Sequence, residues 1–212
     1  MKKMLLTVLF AALLALPLGG VALAQTPDAE PEASVSTEAF FLPGGVPAET
    51  EIPEAMSPTL HGVVLALLNQ GQTSFDPNCS VTGWEALYNM LALYGQMDDR
   101  ADCSDDAMFL PSEIVMDFAG ALASDAPLPE DLPAELADRM VYDAENDGYR
   151  LACGDDGLAL IRLDSAADLG DTVEVTGALV YLVDNRDLAT FRAVLAEEDN
   201  LFGYTLVSLE LL

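Results

Sequence analysis

The chain has 212 residues, and its 36 acidic residues against 8 lysines and arginines give a net charge of −28 at pH 7. Nucleic acids and anionic lipid surfaces are bound by Lys and Arg side chains that neutralise phosphate, so this charge excludes a nucleic-acid-binding function and opposes binding to a lipid surface. Apolar residues make up 51% of the chain, which is enough for one packed core and excludes a wholly disordered acidic protein.

The N-terminus has the order of segments that is typical of a secretory signal peptide. Two lysines precede an uncharged apolar run, Met4–Leu16, and helix-breaking residues then lead to the small-residue site Ala22-Leu23-Ala24. This order predicts a cleavable signal peptide at residues 1–24, with the cut before Gln25 and a mature protein outside the cytoplasm. The alternative is an uncleaved membrane anchor, because about 20 apolar residues can span a bilayer. After cleavage we expect no membrane-spanning segment.

Residues 25–56 are predicted to form a disordered acidic tether. This segment is rich in Pro, Glu and Ala and has no apolar periodicity apart from the short patch Phe40-Phe41-Leu42. Such a composition is typical of a flexible, extended linker.

Apolar residues then recur at helical spacing. The first helix is predicted over 58–70, with Ser57 as its N-cap residue and Gly71 as its stop. The second begins at Thr82–Glu85, which matches a capping box in which the Thr and Glu side chains bind each other's backbone N–H groups. Its apolar stripe ends near Gly95.

A third helix is predicted from Pro111 to Leu122, followed by a connector that is stiffened by prolines. The helical part of the chain is therefore expected at 57–138. A sheet part is expected at 139–212, and both parts together form a single predicted domain at 57–212.

After Arg139 the apolar pattern changes to the alternation that is typical of β-strands. The dipeptide Asp147-Gly148 predicts the turn of a hairpin. The predicted strands are 140–142, 149–153, 158–163, 172–182, 190–196 and 204–211. Gly177 interrupts the longest strand and predicts a bulge or a bend there.

Helices first and strands after is the layout of an α+β protein. We predict about three N-terminal helices packed on one face of a curved antiparallel β-meander of about five to six strands. A meander is the simplest topology because short acidic turns join successive strands. We expect a monomer, since the large net charge opposes self-association.

Three cysteines, Cys79, Cys103 and Cys153, follow the predicted signal peptide, and export would permit a disulfide bond. Cys79 and Cys103 lie in polar segments on either side of the second helix, so we predict a bond between them. Cys153 alternates with Leu151 and Tyr149 on one strand face, which favours a buried thiol. The other two pairings stay open.

His61 is the single histidine of the sequence. It lies at the flank of the apolar side of the first helix, where we expect a packed, hydrogen-bonded side chain. No serine-nucleophile motif accompanies it. One histidine without a paired-cysteine motif also disfavours a structural zinc site.

Carboxylates are the remaining chemical resource, and five of them crowd the segment after the second helix: Asp98, Asp99, Asp102, Asp105 and Asp106. Like charges repel unless a cation lies among them, so we predict a weak calcium site here and no other cofactor. Residues 143–148 resemble the start of a calcium loop, but Gly154 stands where a bidentate glutamate belongs, which favours a turn. A third acidic group occupies 197–199.

These patterns favour a non-enzymatic extracytoplasmic binding or accessory module. Its sheet, or the groove between sheet and helices, would contact an unknown protein or small-molecule partner. Two alternatives stay open: a carboxylate-based hydrolase with two acids in a cleft, and a weakly calcium-binding structural domain. Two inward carboxylates with opposed pKa shifts would favour the hydrolase, whereas an exposed apolar patch beside a filled core would favour the binding module.

Overall fold

The computed structural model describes residues 48–104, 107–122, 131–152 and 157–212. The described residues all belong to one compact unit of the chain. The predicted signal peptide, most of the predicted tether, Asp105, Asp106 and Cys153 lie outside these ranges. Within them, no helix is long and apolar enough to cross a membrane.

The described chain begins inside the segment that was predicted as a tether. Ala48–Glu49 form a two-residue strand, β1, and Glu54–Met56 form a single 3-10 turn. Met56 is fully buried. The described fold therefore includes residues before the predicted boundary at residue 57.

The first helix, α1, spans Ser57–Gln70 and confirms the predicted helix. Met56 occupies the cap position, so Ser57 is already helical. Gly71 ends α1 in the left-handed region with a φ of 66°, which glycine adopts without the steric cost that a Cβ would bring. The helix therefore ends where the glycine stop predicts.

The second helix, α2, spans Ser80–Tyr94 and begins before the predicted capping box. The capping box is wrong, because Cys79 is the cap residue and no side chain caps this helix. Thr82 instead donates a hydrogen bond to Gln70 of α1 at 2.8 Å. Glu85 forms an ion pair with another part of the fold. Tertiary contacts thus use both side chains that the local pattern assigned to capping.

Two short strands that the sequence did not predict, β2 (Asp102–Cys103) and β3 (Met108–Pro111), follow α2. The third helix, α3, spans Ser112–Ala119 and continues as one 3-10 turn, Gly120–Leu122. This agrees with the predicted third helix. The predicted helical part of the chain therefore also contains two strands.

Four short strands form an antiparallel sheet, the small sheet, in the order β2-β3-β5-β4. The predicted hairpin is confirmed: β4 spans Met140–Asp143 and β5 spans Gly148–Leu151. β3 pairs with β5 along its whole length. Alternate side chains of these two strands, such as Met108 and Tyr149, are buried in the core.

The large sheet contains β1 and four long strands in the order β1-β6-β7-β8-β9. The long strands are β6 (Ala159–Asp168), β7 (Thr172–Tyr181), β8 (Arg186–Glu197) and β9 (Tyr204–Leu211). Each pairs antiparallel with the next, so the consecutive meander is confirmed. The predicted single sheet of five to six strands is wrong, because the β4–β5 hairpin pairs with β3 and forms the separate small sheet. The fold is α+β with two open antiparallel sheets.

Gly177 of β7 lies where a neighbouring strand comes close. A Cβ built on it would stand 2.4 Å from the carbonyl oxygen of Arg162 and 2.7 Å from Cζ of Phe191. The register of β6 against β7 shifts between Leu163 and Ser165, directly opposite Gly177. The predicted irregularity is therefore present, as a bulge in the partner strand.

One core joins the helices to both sheets. α1 contacts α2 and three strands of the large sheet, β6, β8 and β9, while α3 contacts β3 and β5 of the small sheet. At Gly62 the backbones of α1 and α2 approach so closely that a Cβ would stand 2.5 Å from Cγ of Met90 and 2.6 Å from the carbonyl oxygen of Ala86. Asn89 donates to the Gly62 carbonyl oxygen at 3.2 Å. The missing side chain at Gly62 therefore permits this packing.

Gly62→Ala is expected to destabilise the fold by about 2 kcal/mol, because the added methyl group overlaps atoms of α2. Gly83→Ala in α2 is the matched control: apart from the adjacent residues and the backbone of α2 itself, no atom of the described chain lies within 4 Å of a Cβ there. The gain in helix propensity should therefore stabilise the fold by about 1 kcal/mol. Urea unfolding of both variants measures the two effects. A Gly62→Ala variant as stable as the wild type would contradict the close packing.

Candidate functional site

An ion-pair network holds the start of the predicted calcium cluster. Asp98 accepts hydrogen bonds from the Arg100 guanidinium at 2.9 and 2.7 Å, and Arg100 also pairs with Asp117 at 2.7 Å. The Arg100 hydrogen bonds lower the pKa of Asp98. An arginine from the same segment therefore provides the positive charge that the cluster was expected to take from calcium.

The other aspartates of the cluster do not converge on one point in the described structure. Asp99 and Asp102 are both exposed, and Asp102 begins β2. The described ranges contain no group of three side chains that could hold a metal ion. Asp105 and Asp106 lie outside those ranges, so calcium binding by the whole cluster stays a prediction.

The segment that resembles the start of a calcium loop forms the turn between β4 and β5. The Asp143 carboxylate accepts hydrogen bonds from the Asn146 side chain at 2.9 Å and from Arg150 at 2.8 Å. The hydrogen bonds from Asn146, followed by those from Arg150, lower the pKa of Asp143 to about 2. Asp147 takes a positive φ of 47° in this turn.

The predicted disulfide bond between Cys79 and Cys103 is absent from this structure, in which Cys79 is a free thiol. Cys79 precedes α2, and its Sγ accepts a hydrogen bond from Thr82 Oγ1 at 3.3 Å. This hydrogen bond lowers the pKa of the thiol. Cys103 lies in β2, where it pairs with Met108, so the small sheet fixes its position independently of the start of α2.

His61 is buried, as its position on α1 predicts, and is 4% exposed. Its Nδ1 is hydrogen-bonded to the Tyr94 hydroxyl at 2.8 Å, and the two rings meet edge to face. Burial lowers the pKa of His61 to about 4 and raises the pKa of Tyr94. The imidazole is therefore neutral at neutral pH and belongs to the core.

The free energy of unfolding should fall as the pH drops from about 6.5 to 4, because unfolded chains bind a proton on His61 that the folded protein excludes. The shift corresponds to about 3 kcal/mol, at about 1.4 kcal/mol for each pKa unit. His61→Asn should remove this component. The measurement is the difference between wild-type and variant stability against pH, in which the titration of the many carboxylates cancels. A difference that does not change across this range would contradict a buried, neutral His61.

Glu85 is a buried carboxylate, 8% exposed, and Arg139 neutralises it. The two side chains form a bidentate pair with N–O distances of 2.6 and 3.1 Å, and the guanidinium lies 4.6 Å from the centre of the Tyr88 ring. Arg139 directly precedes β4. The pair therefore attaches α2 to the start of the small sheet.

Arg139→Met should destabilise the fold by about 2 kcal/mol, because it leaves the Glu85 carboxylate buried without a partner. Glu85→Met combined with Arg139→Met should recover most of that loss, since replacing both partners by apolar side chains of similar volume leaves no buried charge without a partner. Arg192→Met, which removes an exposed pair with Glu210, is the control and should cost less than about 1 kcal/mol. Chemical unfolding measures the free energy of unfolding of each variant. A double variant that is less stable than Arg139→Met alone would contradict the role of Arg139 as the partner of Glu85.

A cavity of about 270 Å³ lies on the large sheet. Its charged lining consists of Glu174, Arg192 and Glu210, and Arg192 Nε donates to Glu210 at 3.0 Å. Arg192 also interacts electrostatically with Glu174. Arg192 thus interacts with both carboxylates, whereas the hydrolase alternative needs two acids that exchange protons with a substrate.

The third acidic group, Glu197, Glu198 and Asp199, lines an open surface hollow of about 390 Å³ beside Gly203 and Tyr204. None of its lining side chains is basic. The six arginines of the chain are all engaged elsewhere, each in an ion pair with an aspartate or glutamate. The surface therefore keeps a strong excess of negative charge.

Exposed aliphatic side chains gather at one end of the large sheet, around the start of β6 and the β7–β8 turn. They are between 42% and 68% exposed and are Leu158, Leu160, Leu182, Val183 and Leu188. We call this group the apolar tip. Leu182 N–H donates to the Leu158 carbonyl oxygen at 2.8 Å, and Leu160 lies opposite Val180. Val180 is buried but lies outside the main core cluster, so the tip has a small apolar base of its own.

In the sequence pattern these residues belong to separate predicted strands and to an acidic turn, so the pattern does not predict that they form one group. The available signal was the pair Leu182-Val183, two large apolar residues inside a turn, where polar residues are usual. Leu188 lies where the register of β7 against β8 shifts, between Leu179 and Val180. Such a shift cannot be located from periodicity alone.

Comparison with known proteins found no match to this chain among protein-family models, curated proteins or solved structures.

Proposed function

We propose that this chain is a non-enzymatic, extracytoplasmic binding module that contacts a protein partner through the apolar tip. The location follows from the predicted signal peptide. The observation that carries the binding role is the cluster of five exposed aliphatic side chains, since clustered apolar surface is costly in water and is typical of interaction sites.

The proposed arrangement has the helices on one face of the open large sheet and leaves the other face and the tip for contact. The side chains of α1 and the inward residues of β7 and β8 share the core. On the opposite side, Ser165, Thr176 and Arg192 lie in one cross-strand row of polar residues. An apolar tip beside a polar face resembles the division of an interface into an apolar centre and a polar rim.

The test is a selection of randomised, phage-displayed peptides against the full chain. Selected peptides are expected to bind the wild type and to lose at least about tenfold in affinity for the double variant Leu160→Asp/Val183→Asp, because each aspartate places a charge in the contact. Val141→Asp, at an exposed valine of β4 that is 52% exposed, is the matched control and should bind like the wild type.

Thermal melts establish that the variants fold, since exposed substitutions change stability by only about 0.5 kcal/mol. Peptides that bind the folded double variant as tightly as the wild type would refute the role of the tip. A selection that yields no saturable binder would count equally against it.

A further inference from the structure

The strand β6, which begins directly after Leu158 and carries Leu160 of the tip, is an edge strand over most of its length. β6 has β7 on one side, while on the other side β1 covers only the far end, with Ala48 opposite Asp168 and Glu49 opposite Ala167. Thr50 adds one hydrogen bond, from its N–H to the Ala166 carbonyl oxygen at 3.3 Å. The chain then turns away into a 3-10 helix after Pro53. Within the described ranges, no strand flanks the outer side of 159–163.

The register of β6 against β7 identifies the backbone groups of 159–163 that have no strand partner on the outer side. Leu182 N–H donates to the Leu158 carbonyl oxygen, and hydrogen-bonded pairs alternate with non-bonded pairs in an antiparallel ladder. Leu160 and Arg162 therefore bond to β7. The N–H and C=O groups of Ala159, Ile161 and Leu163 point outward, and no residue of the described chain pairs with them.

This part of the edge has few of the features that usually protect an edge strand. Charged side chains, prolines and bulges normally prevent pairing with other chains. The sequence from Leu158 to Leu163 is aliphatic except for Arg162, whose guanidinium is neutralised by Asp164 and Asp187. The bulge of β6 lies beyond Leu163, so a segment of one strand's length is left open.

The charge of the molecule indicates which kind of strand can bind to such an edge. A second copy of this chain would bring another net charge of −28 to the contact, and that repulsion opposes self-pairing. Near the edge, Asp164, Asp184 and Asp187 outnumber Arg162 and Arg186, and both arginines are engaged in ion pairs. The surface therefore favours an incoming strand that carries lysine or arginine.

We propose that the open edge of β6 binds an extended segment of a basic protein as an additional strand of the large sheet. This proposal rests on the proposed function and specifies how the partner protein is bound. Main-chain hydrogen bonds to Ala159, Ile161 and Leu163 supply the pairing, as in other cases of strand addition. Basic side chains at alternate positions of the bound strand lie on the face of Leu160 and Arg162, which also carries Asp187. Aliphatic side chains at the other positions lie on the face of Ala159, Ile161 and Leu163, which packs against the core.

The experiment uses the full chain and a capped synthetic peptide of four Lys-Val repeats, with a Glu-Val peptide of the same length as the charge control. The Lys-Val peptide should bind saturably and the Glu-Val peptide should not. By NMR, binding should slow amide exchange of Ala159, Ile161 and Leu163 by at least about tenfold. The amides of Leu160 and Arg162, which already bond to β7, should not change.

Ala159→Pro is the edge variant, because proline at the first residue of an edge strand removes the outward N–H without disturbing the ladder. It should reduce affinity for the Lys-Val peptide by about tenfold and leave the fold intact in a thermal melt. A Lys-Val peptide that fails to bind, or that binds without protecting the three amides, overturns strand addition. Equal binding of both peptides overturns the basic partner.

These outcomes separate this inference from the proposed function. One outcome is that the affinity of the selected peptides is reduced by Leu160→Asp/Val183→Asp but not by Ala159→Pro. The tip is then a binding site, and strand addition is refuted. Sedimentation of the free chain gives the remaining outcome, because a dimer that Ala159→Pro dissociates would assign the edge to a second copy and overturn the basic partner.

Discussion

The close contact between α1 and α2 at Gly62 is the constraint on which the rest of the fold depends. Because no side chain separates the helices there, a Met90 methylene and the Ala86 carbonyl oxygen fit against the α1 backbone. α1 also contacts β6, β8 and β9, and α3 contacts the small sheet. One core is thereby shared by elements that pair in two separate sheets. The Glu85–Arg139 pair joins the same helix layer to β4 at the surface of that core.

The route into α1 also explains why the large sheet has an open edge. β1 can cover only the end of β6, because the chain must leave the sheet after Thr50 to build the 3-10 turn and reach the helix layer. At the other edge the chain after α1 lies beside β9, where Phe75 N–H donates to the Leu209 carbonyl oxygen at 2.8 Å. The two edges of the large sheet therefore differ: the chain after α1 flanks β9, whereas no strand of the described chain flanks most of β6.

Sequence periodicity predicted the long elements well, because α1, α2, α3 and the strands from β6 to β9 each carry an apolar pattern of their own. It missed β2 and β3, which are too short for a pattern: β3 pairs with the distant hairpin, and β2 pairs only with β3. The capping box was predicted wrongly for a similar reason. Thr82 and Glu85 have the spacing of a capping box, but their side chains bond to other elements of the fold. The apolar tip escaped prediction because it combines a strand end, a turn and a bulge that only the fold brings together.

Amide exchange of the uncomplexed protein, measured by NMR, shows directly whether the edge of β6 is open. Backbone N–H groups bonded within a ladder exchange far more slowly than those that face solvent. We expect slow exchange at Leu160 and Arg162 and exchange faster by on the order of a hundredfold at Ala159, Ile161 and Leu163. Equal protection of all five amides would show that another segment already covers β6, and would contradict the account.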